Sequence, residues 1–188
     1  TIGHDRSQGP LIHTGNDQDF AVKGPGFFAV QGPDGQEAYT RDGGYIIDEA
    51  GIMRTRAGHV ILSDGGPITV PNNTRVAIGE DGTISTVSTE AGDRAVQILG
   101  QIKLVGDANR TDFYKGIDGL FRRNDQQIAQ RDENAKVTAG ALEGSNVNVV
   151  ESLVQMIDDA RHYDLSIKMM QTADQNAKSA NSIMSMSN

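Results

Sequence analysis

Residues 143–188 contain no proline, and no glycine follows Gly144. Because proline and glycine are the residues that interrupt helices, this stretch favours one continuous helix. Ser145 or Asn146 can cap its start by accepting a hydrogen bond from a free backbone N–H group. The sequence therefore predicts a helix over about residues 147–185, on the order of 58 Å long at 1.5 Å per residue.

Apolar residues recur along this predicted helix in alternating steps of four and three residues. This spacing is the heptad pattern of a coiled coil, in which an apolar stripe faces a partner helix. Toward the end, Asp174 and Asn181 interrupt the stripe. The predicted assembly interface, called the helix seam below, consists of Val149, Leu153, Met156, Ile157, Ala160, Tyr163, Ile167 and Met170.

A helix of this length is too long to be covered by one small β domain. An isolated helix also gains little stability from intrinsic propensity, so it needs something to pack against. Folding back onto the chain's own core is one alternative. The continuous heptad favours partner helices instead, supplied by an N-terminal segment absent from this sequence, by other subunits, or by both.

The chain before the helix is rich in turn signals. Asp-Gly occurs five times, often between short β-branched runs such as "GFFAVQ", "HVIL" and "TISTV". Asp-Gly between strands favours the type I′ turns of β-hairpins. The sequence therefore predicts about ten short strands. The predicted structural turns are at Gly35, Gly43, Gly65, Gly82 and Gly119.

Together these patterns predict a mainly β fold. It consists of a glycine-rich, multi-stranded β domain of short antiparallel strands and hairpins, followed by one long C-terminal amphipathic coiled-coil helix. We place the β-rich domain at residues 1–140, with residues 1–10 as a linker, and the helical domain at residues 141–188.

The composition disfavours several classes of function. The formal net charge is −8 and there is no cysteine. The chain therefore lacks the basic surface of nucleic-acid-binding proteins and the thiolates of disulfides and cysteine-based sites. No apolar run approaches the roughly 20 residues that span a bilayer. We expect no nucleic-acid partner and no direct membrane insertion.

Recognisable catalytic or ligand-binding patterns are also missing from the sequence. No two of His4, His13, His59 and His162 lie three or four residues apart, as a helical metal pair requires. There is no G-x-S-x-G motif, and "GPGFF" lacks the third glycine of a dinucleotide-binding loop. The Asp-Gly pairs lack the alternating acidic ligands of an EF-hand. We expect no catalytic residue, metal site, cofactor or small-molecule substrate, and no enzymatic activity.

Three long segments carry a resemblance to a known family. "TGNDQDFAVKGPGFFAVQ", "AYTRDGGYIIDEAGIM" and "LEGSNVNVVESLVQMIDDARHYDLSIKMMQTAD" are similar to the hallmark segments of bacterial flagellar rod and hook proteins. "EDGTIS", "LGQIKLV" and "DGLFR" lie between them in the family's order. The resemblance extends from about Leu11 to the end of the chain. Within the family, the ending "MMQTADQNAKSANSIMSMS" most resembles proximal rod proteins, with distal rod proteins second.

The resemblance implies a structural subunit of the basal-body proximal rod, which self-assembles into the axial drive shaft and transmits torque for motility. It implies that the C-terminal helix pairs with an N-terminal helix, absent from this sequence, to form the inner tube, while the β domain faces outward. The implied partners are other rod subunits. The implied location is the periplasm-spanning rod, reached through the flagellar type III export apparatus without a cleaved signal peptide.

Two alternatives stay open at this point. One is a distal rod or hook subunit of the same family. The other belongs to a different class, namely a secreted β-rich carbohydrate-binding or hydrolytic module with an oligomerising helix. That module would need several surface aromatic side chains, whereas the chain has five Phe and four Tyr residues, some of which its core requires.

Overall fold

The computed structural model describes residues 7–89, 95–107 and 112–186. Within these ranges the chain forms a series of short strands followed by one helix. The elements are β1 (Leu11–His13), β2 (Phe20–Lys23), β3 (Gly26–Gln31), β4 (Glu37–Thr40), β5 (Tyr45–Ile47), β6 (Met53–Thr55), β7 (Val60–Ser63), β8 (Gly66–Pro67), β9 (Thr74–Ile78), β10 (Thr83–Ser88), β11 (Val96–Gln101), β12 (Leu104–Gly106), β13 (Phe113–Lys115), β14 (Phe121–Arg123), β15 (Lys136–Ala139), β16 (Ala141–Glu143) and α1 (Val149–Met186).

The strands form one large sheet and three smaller ones, and every pairing among the described strands is antiparallel. The large sheet has the order β13-β14-β4-β3-β7-β6-β5, with β12 on β3 and β8 on β7. A second sheet has the order β11-β10-β9, and two ribbons pair β1 with β16 and β15 with β2. The predicted mainly β fold with one C-terminal helix is confirmed. The structure has more strands than the roughly ten predicted. Several of them span only three residues, which is too short for an alternating pattern to be recognised in the sequence.

Strand β3 is a central strand of the large sheet and is buried on both faces. Successive side chains of a strand point to opposite faces. Phe28 and Val30 therefore join one apolar cluster, and Phe27 and Ala29 join the other. The ring centroids of Phe28 and Phe20 lie 4.8 Å apart in the first cluster. Burial on both faces explains why "GFFAVQ" is apolar at successive positions rather than alternating.

Three of the five Asp-Gly pairs lie in equivalent four-residue turns of sequence Gly-x-Asp-Gly. In each turn the last glycine donates its N–H to the carbonyl of the first glycine. The aspartate carboxylate accepts the backbone N–H of the residue two positions further on. The donor–acceptor distances that close the turns are 3.0, 3.0 and 3.1 Å for the turns that end at Gly35, Gly82 and Gly119.

These three turns correct the prediction of type I′ geometry. A type I′ turn requires positive φ at both central residues. Here only the closing glycine has positive φ, at 76° for Gly35 and 82° for both Gly82 and Gly119, while the aspartates do not. The geometry is that of a type I turn followed by a glycine bulge. The hydrogen bond from the backbone to the aspartate carboxylate stabilises the turn. This loop is longer than a two-residue type I′ turn, and it needs only one residue with positive φ.

The other two predicted turn glycines lack this geometry, although Gly65 does lie in a turn, the two-residue loop between β7 and β8. Neither Gly43 nor Gly65 has positive φ. In the loop that contains Gly65, the next residue, Gly66, has positive φ instead, at 109°. Gly43 accepts the backbone N–H of Phe20 at 3.1 Å. A Cβ atom placed on Gly43 would lie 1.6 Å from the Phe20 carbonyl oxygen. Gly43 is therefore required by a close backbone approach rather than by a turn.

Replacing Gly35 with Val should destabilise the protein by about 1 kcal/mol or more, because a β-branched residue is strained at positive φ. No other atom lies within 4 Å of the position that a Cβ would take, so the cost is conformational rather than steric. Urea unfolding of the purified variant measures it. Gly35→Asn is the control, since asparagine tolerates the left-handed region. Equal stability of the Val variant and the unmodified protein would contradict this role.

The chain divides into two compact units, Thr1–Asn146 and Val147–Asn188. The helix α1 belongs to the second unit. The predicted boundary at residues 140 and 141 differs from this division, because Ala141–Glu143 is strand β16 and pairs with β1. Residues 141–146 therefore belong to the β unit. Among the described residues, no helix is both long and apolar enough to cross a bilayer.

A fragment of residues 1–146 should retain β-type circular dichroism and unfold cooperatively, because both apolar clusters lie within it. A shorter fragment that ends near Thr138, just before the boundary predicted from the sequence, should be less stable. It lacks strand β16 and the end of β15, which pair with β1 and β2. Thermal unfolding of the two fragments provides the comparison. An unfolded 1–146 fragment would show that the β unit depends on the helix.

Candidate assembly interface

The helix α1 begins with a side-chain cap from Asn148. Its Oδ1 accepts the backbone N–H groups of Val150 at 3.1 Å and Glu151 at 3.4 Å. An Asn carboxamide in this position satisfies donors that the first helical turn leaves free. The predicted caps, Ser145 and Asn146, lie too far upstream because the helix starts only at Val149. The Asn146 side chain instead donates to the Ser7 carbonyl at 3.2 Å.

The structure places all eight residues of the helix seam on this one helix, and all but one are exposed to solvent. Leu153 exposes 53% of its surface and Tyr163 exposes 68%, whereas Ile167 is partly buried. At 3.6 residues per turn, the seam covers one side of the helix. Other exposed apolar residues of the helix, Val150, Val154 and Leu165, lie outside the seam, with Val154 and Leu165 toward the opposite side of the helix. Continuous exposed apolar surfaces of this extent mark interaction sites in soluble proteins.

Polar contacts on the described part of the helix are local. Ser166 Oγ donates to the His162 carbonyl at 2.9 Å, and Thr172 Oγ1 donates to the Lys168 carbonyl at the same distance. Such bonds repeat the helix's own pattern and link it to nothing else. Neither of these bonds involves a side chain of the helix seam.

The ribbon of β1 and β16 precedes the helix and is tied to the large sheet by Arg41. The guanidinium Nε lies 2.6 Å from Glu143 Oε2. Its Nη1 donates to the carbonyls of Gly24 and Gly26. The second oxygen of Glu143 accepts the backbone N–H of Gly9 at 3.0 Å. One carboxylate of strand β16 therefore links the segment just before β1 to the large sheet.

The opposite end of the same ribbon is held by Asp19, which is buried. Its carboxylate pairs with the guanidinium of Arg56 and accepts the hydroxyl of Thr14 at 2.7 Å. The Asp19 carbonyl also accepts the backbone N–H of Gly140 at 2.7 Å. Sequence reasoning missed both anchors. The residues that meet lie up to 134 positions apart, and no local pattern marks them.

Replacing Glu143 with Ala should destabilise the β unit by about 2 kcal/mol, because it leaves the Arg41 guanidinium without its charged partner. The two side chains are only 19% and 13% exposed, so water cannot fully replace the lost contact. The control is Glu80→Ala, which removes the exposed Lys23–Glu80 pair at 3.8 Å. That change should cost less than about 0.5 kcal/mol. Equal losses in urea unfolding would contradict the anchoring role of Glu143.

The described residues offer little for substrate or metal chemistry. They include no group of three or more His, Asp or Glu side chains placed to hold a metal ion. An open groove of about 790 Å³ is lined in part by Tyr114, Arg122 and Arg123. Both guanidinium groups are already paired with aspartates. The Arg123 guanidinium, together with a backbone N–H, lowers the pKa of Asp125 to about 2, as expected of a carboxylate in a structural ion pair.

Comparison with known proteins supplies the identity of this architecture. Residues 21–86 match the family described as the flagellar hook protein FlgE/F/G D1 domain. Residues 138–183 match the flagellar basal body rod FlgEFG protein C-terminal family. The first match lies within the β unit, and the second begins in β15 and covers most of the helix.

Individual relatives match over nearly the whole chain. The chain is 36% identical to flagellar basal-body rod protein FlgF of Escherichia coli K12, over 100% of its length and 76% of the relative's. It is 36% identical to FlgF of Caulobacter vibrioides, over 95% of the chain and 70% of the relative. FlgG of Buchnera aphidicola from Schizaphis graminum is 35% identical over 90% of the chain and 66% of the relative. The chain therefore belongs to the family of flagellar basal-body rod and hook proteins that comprises FlgE, FlgF and FlgG.

Proposed function

We propose that this chain is a structural subunit of the flagellar proximal rod, which self-assembles into the axial drive shaft and transmits torque for motility. The observation that carries the proposal is the exposed apolar seam on α1, within a chain that aligns over its whole length with FlgF. An enzyme needs a site that holds reacting groups together, whereas a drive shaft needs surfaces that hold subunits together. The helix seam supports the second kind of function.

The proposed mechanism is mechanical. Helices of neighbouring subunits pack through their seams into an inner tube and resist twisting, while the β-rich outer domains brace the outside. The residues of the seam are Val149, Leu153, Met156, Ile157, Ala160, Tyr163, Ile167 and Met170. A heterologous interface, in which two different surfaces meet, builds an open helical polymer rather than a closed ring or dimer.

The seam's neighbours in this proposal are other rod subunits and an N-terminal helix of the same protein. The chain covers 76% of the length of FlgF from Escherichia coli. We further propose export through the flagellar type III apparatus without a cleaved signal peptide, in keeping with assembly in the basal body. The subunit needs no cofactor, small-molecule substrate or nucleic acid for this role, and it does not insert into the membrane.

A role as a distal rod subunit is the second candidate within the family. The identity of 35% to FlgG of Buchnera aphidicola favours it, because that value is close to the 36% shared with FlgF. Both roles use the same seam, so they differ in position along the rod rather than in mechanism. A carbohydrate-binding or hydrolytic module has no comparable support.

Electron microscopy of isolated basal bodies that carry a labelled copy of this subunit tests the proposal. We expect the label at the cell-proximal part of the rod. A label on the distal rod or the hook would overturn the proximal assignment in favour of the second candidate. Basal bodies without any label, from cells that produce the tagged and functional subunit, would contradict a rod function altogether.

A further inference from the structure

Asp-Gly pairs have a chemical reactivity that is separate from their role in turns. The backbone nitrogen of the glycine can attack Cγ of the aspartate. The nitrogen's proton and the carboxyl hydroxyl leave as water, and a five-membered succinimide ring closes. Glycine favours this step because it has no Cβ to hinder the nitrogen and allows the backbone to rotate.

Water then opens the succinimide ring at one of its two carbonyls. Attack at the backbone carbonyl of the aspartate breaks its bond to the glycine nitrogen and leaves a free α-carboxylate. The chain then runs through Cβ and Cγ, which is an isoaspartate link. One water molecule is released and one is taken up, so the conversion needs no oxidant, reductant or cofactor.

Three of the five Asp-Gly pairs are held in a form that resists this reaction. The N–H groups of Gly35, Gly82 and Gly119 donate to backbone carbonyls in the bonds that close their turns. The preceding aspartates are engaged as well, because each carboxylate accepts a backbone N–H two residues further on. Hydrogen bonds lower the pKa of all three carboxyl groups. The neutral acid, which is the form that expels water, is therefore scarce at these positions at neutral pH.

Packing opposes the reaction at Asp42-Gly43. Gly43 is buried, and a Cβ atom on it would lie 1.6 Å from the Phe20 carbonyl oxygen. Its carbonyl accepts the Phe20 N–H at 3.1 Å, and the next residue, Gly44, forms a β-bridge with Asp19. Isomerisation adds one atom to the backbone, and this closely packed stretch would have to move to accept it.

Asp64-Gly65 differs from the other pairs on each of these points. Both residues are exposed, in the two-residue loop between β7 and β8. The Gly65 N–H donates to the Ser63 hydroxyl at 3.2 Å rather than to a backbone carbonyl. The nearest atom to a Cβ on Gly65 is Ser63 Oγ at 3.8 Å, so the loop has room for a longer backbone. The Asp64 carboxylate lies 2.9 Å from Arg131 Nη1 and is 50% exposed, and a half-exposed pair of this kind holds the side chain only weakly.

We propose that Asp64-Gly65 is a site of spontaneous backbone modification, at which the aspartate converts to isoaspartate through a succinimide. The product lengthens the β7–β8 loop by one backbone atom. Its carboxylate is attached directly to Cα instead of to the side-chain methylene, so it moves away from Arg131. As the protein ages, the loop therefore loses the ion pair that connects it to Arg131. This reactivity belongs to the β unit and does not depend on assembly.

Ageing of the complete 188-residue chain tests this proposal. The protein is incubated at neutral pH, and samples are digested with a protease that cleaves before aspartate but not before isoaspartate. Mass spectrometry of the peptides gives the isoaspartate fraction at each Asp-Gly pair. We expect Asp64 to react at least about tenfold faster than any other pair, which corresponds to a barrier lower by about 1.4 kcal/mol. Equal rates at the five pairs, or a faster reaction at another pair, would overturn the proposal.

The same incubation in concentrated urea separates the effect of the fold from that of the sequence. Unfolding removes the turn-closing bonds and the packing of Gly43, so the five rates should become similar. A preference for Asp64 that persists undiminished in urea would contradict protection of the other four pairs by the folded structure.

Two variants assign the modification to this pair. Gly65→Ala should slow it at least about tenfold, because the added Cβ hinders the attacking nitrogen. The fold tolerates this change, since Gly65 does not have positive φ. Asp64→Glu should abolish the reaction, because the longer side chain would have to close a six-membered ring, while the negative charge is kept. Urea unfolding of freshly purified variants confirms that the fold is retained. An unchanged rate in Gly65→Ala would overturn the proposed mechanism.

Discussion

Cells in which the subunit carries Leu153→Asp or Ile167→Asp should fail to complete the rod and should not swim. Both residues lie in the helix seam, and Leu153 is 53% exposed in the isolated chain. In the assembled rod, the proposed packing covers these positions with another helix. A carboxylate buried there without a partner costs several kcal/mol per subunit, a penalty that every interface in the polymer repeats.

Gln155→Asp is the matched control for these two substitutions. It adds the same carboxylate to the same half of α1, but on the side away from the seam. It should leave motility largely intact. Motility is measured in soft agar. Export of the subunit and the circular dichroism of the purified protein are measured in parallel and should be normal for all three variants. Normal swimming with Asp at both 153 and 167 would mean that the seam is not an assembly interface.

Replacing Gly43 with Ala should destabilise the β unit by about 3 kcal/mol, the upper end of what an added methyl group costs in a packed region. The new Cβ would lie 1.6 Å from the Phe20 carbonyl oxygen, so the backbone at one of the two positions must move. Phe20 is fully buried and packs against Phe28 in the main apolar cluster. The backbone N–H of Phe20 also donates to Gly43 at 3.1 Å. Movement therefore disturbs both a hydrogen bond and the core.

Gly65→Ala is the control, because it changes another Asp-Gly pair without steric conflict. The nearest atom to its Cβ position is Ser63 Oγ at 3.8 Å, and Gly65 does not have positive φ. Its effect should lie within about 0.5 kcal/mol. Urea unfolding of both variants gives the comparison. Similar stabilities would mean that the close approach of Gly43 to Phe20 does not constrain the fold.

These two glycines show the limit of local sequence patterns. Asp42-Gly43 and Asp64-Gly65 have the same two letters as the pairs that do form turns with a left-handed closing glycine. The three turns with a left-handed closing glycine share an additional glycine two positions before the aspartate. A Cβ on that first glycine would lie only 2.6–2.8 Å from the aspartate carboxylate. A local signal for these turns therefore existed in the sequence, in the Gly-x-Asp-Gly spacing rather than in Asp-Gly alone.

The sequence by itself determined the fold class and the long helix, because these follow from periodicity and from the placement of helix-breaking residues. Local spacing controls which residues share a helix face or a strand face, so neighbours in sequence were enough. Family membership also followed from the ordered segments. The predicted seam, Val149 to Met170, lies on one continuous helix as expected.

The tertiary structure alone decided the contacts between distant parts of the chain. Arg41 contacts Glu143, and Asp19 contacts Arg56. Both contacts form only because the folded β unit brings together segments that are far apart in the sequence. Gly43 is constrained by the carbonyl of Phe20, which the sheet places against it. Charges and backbone atoms that approach across many intervening residues leave no periodic pattern in the sequence. Such contacts can be identified only from the folded structure, because the packing of the core sets the distances between these atoms.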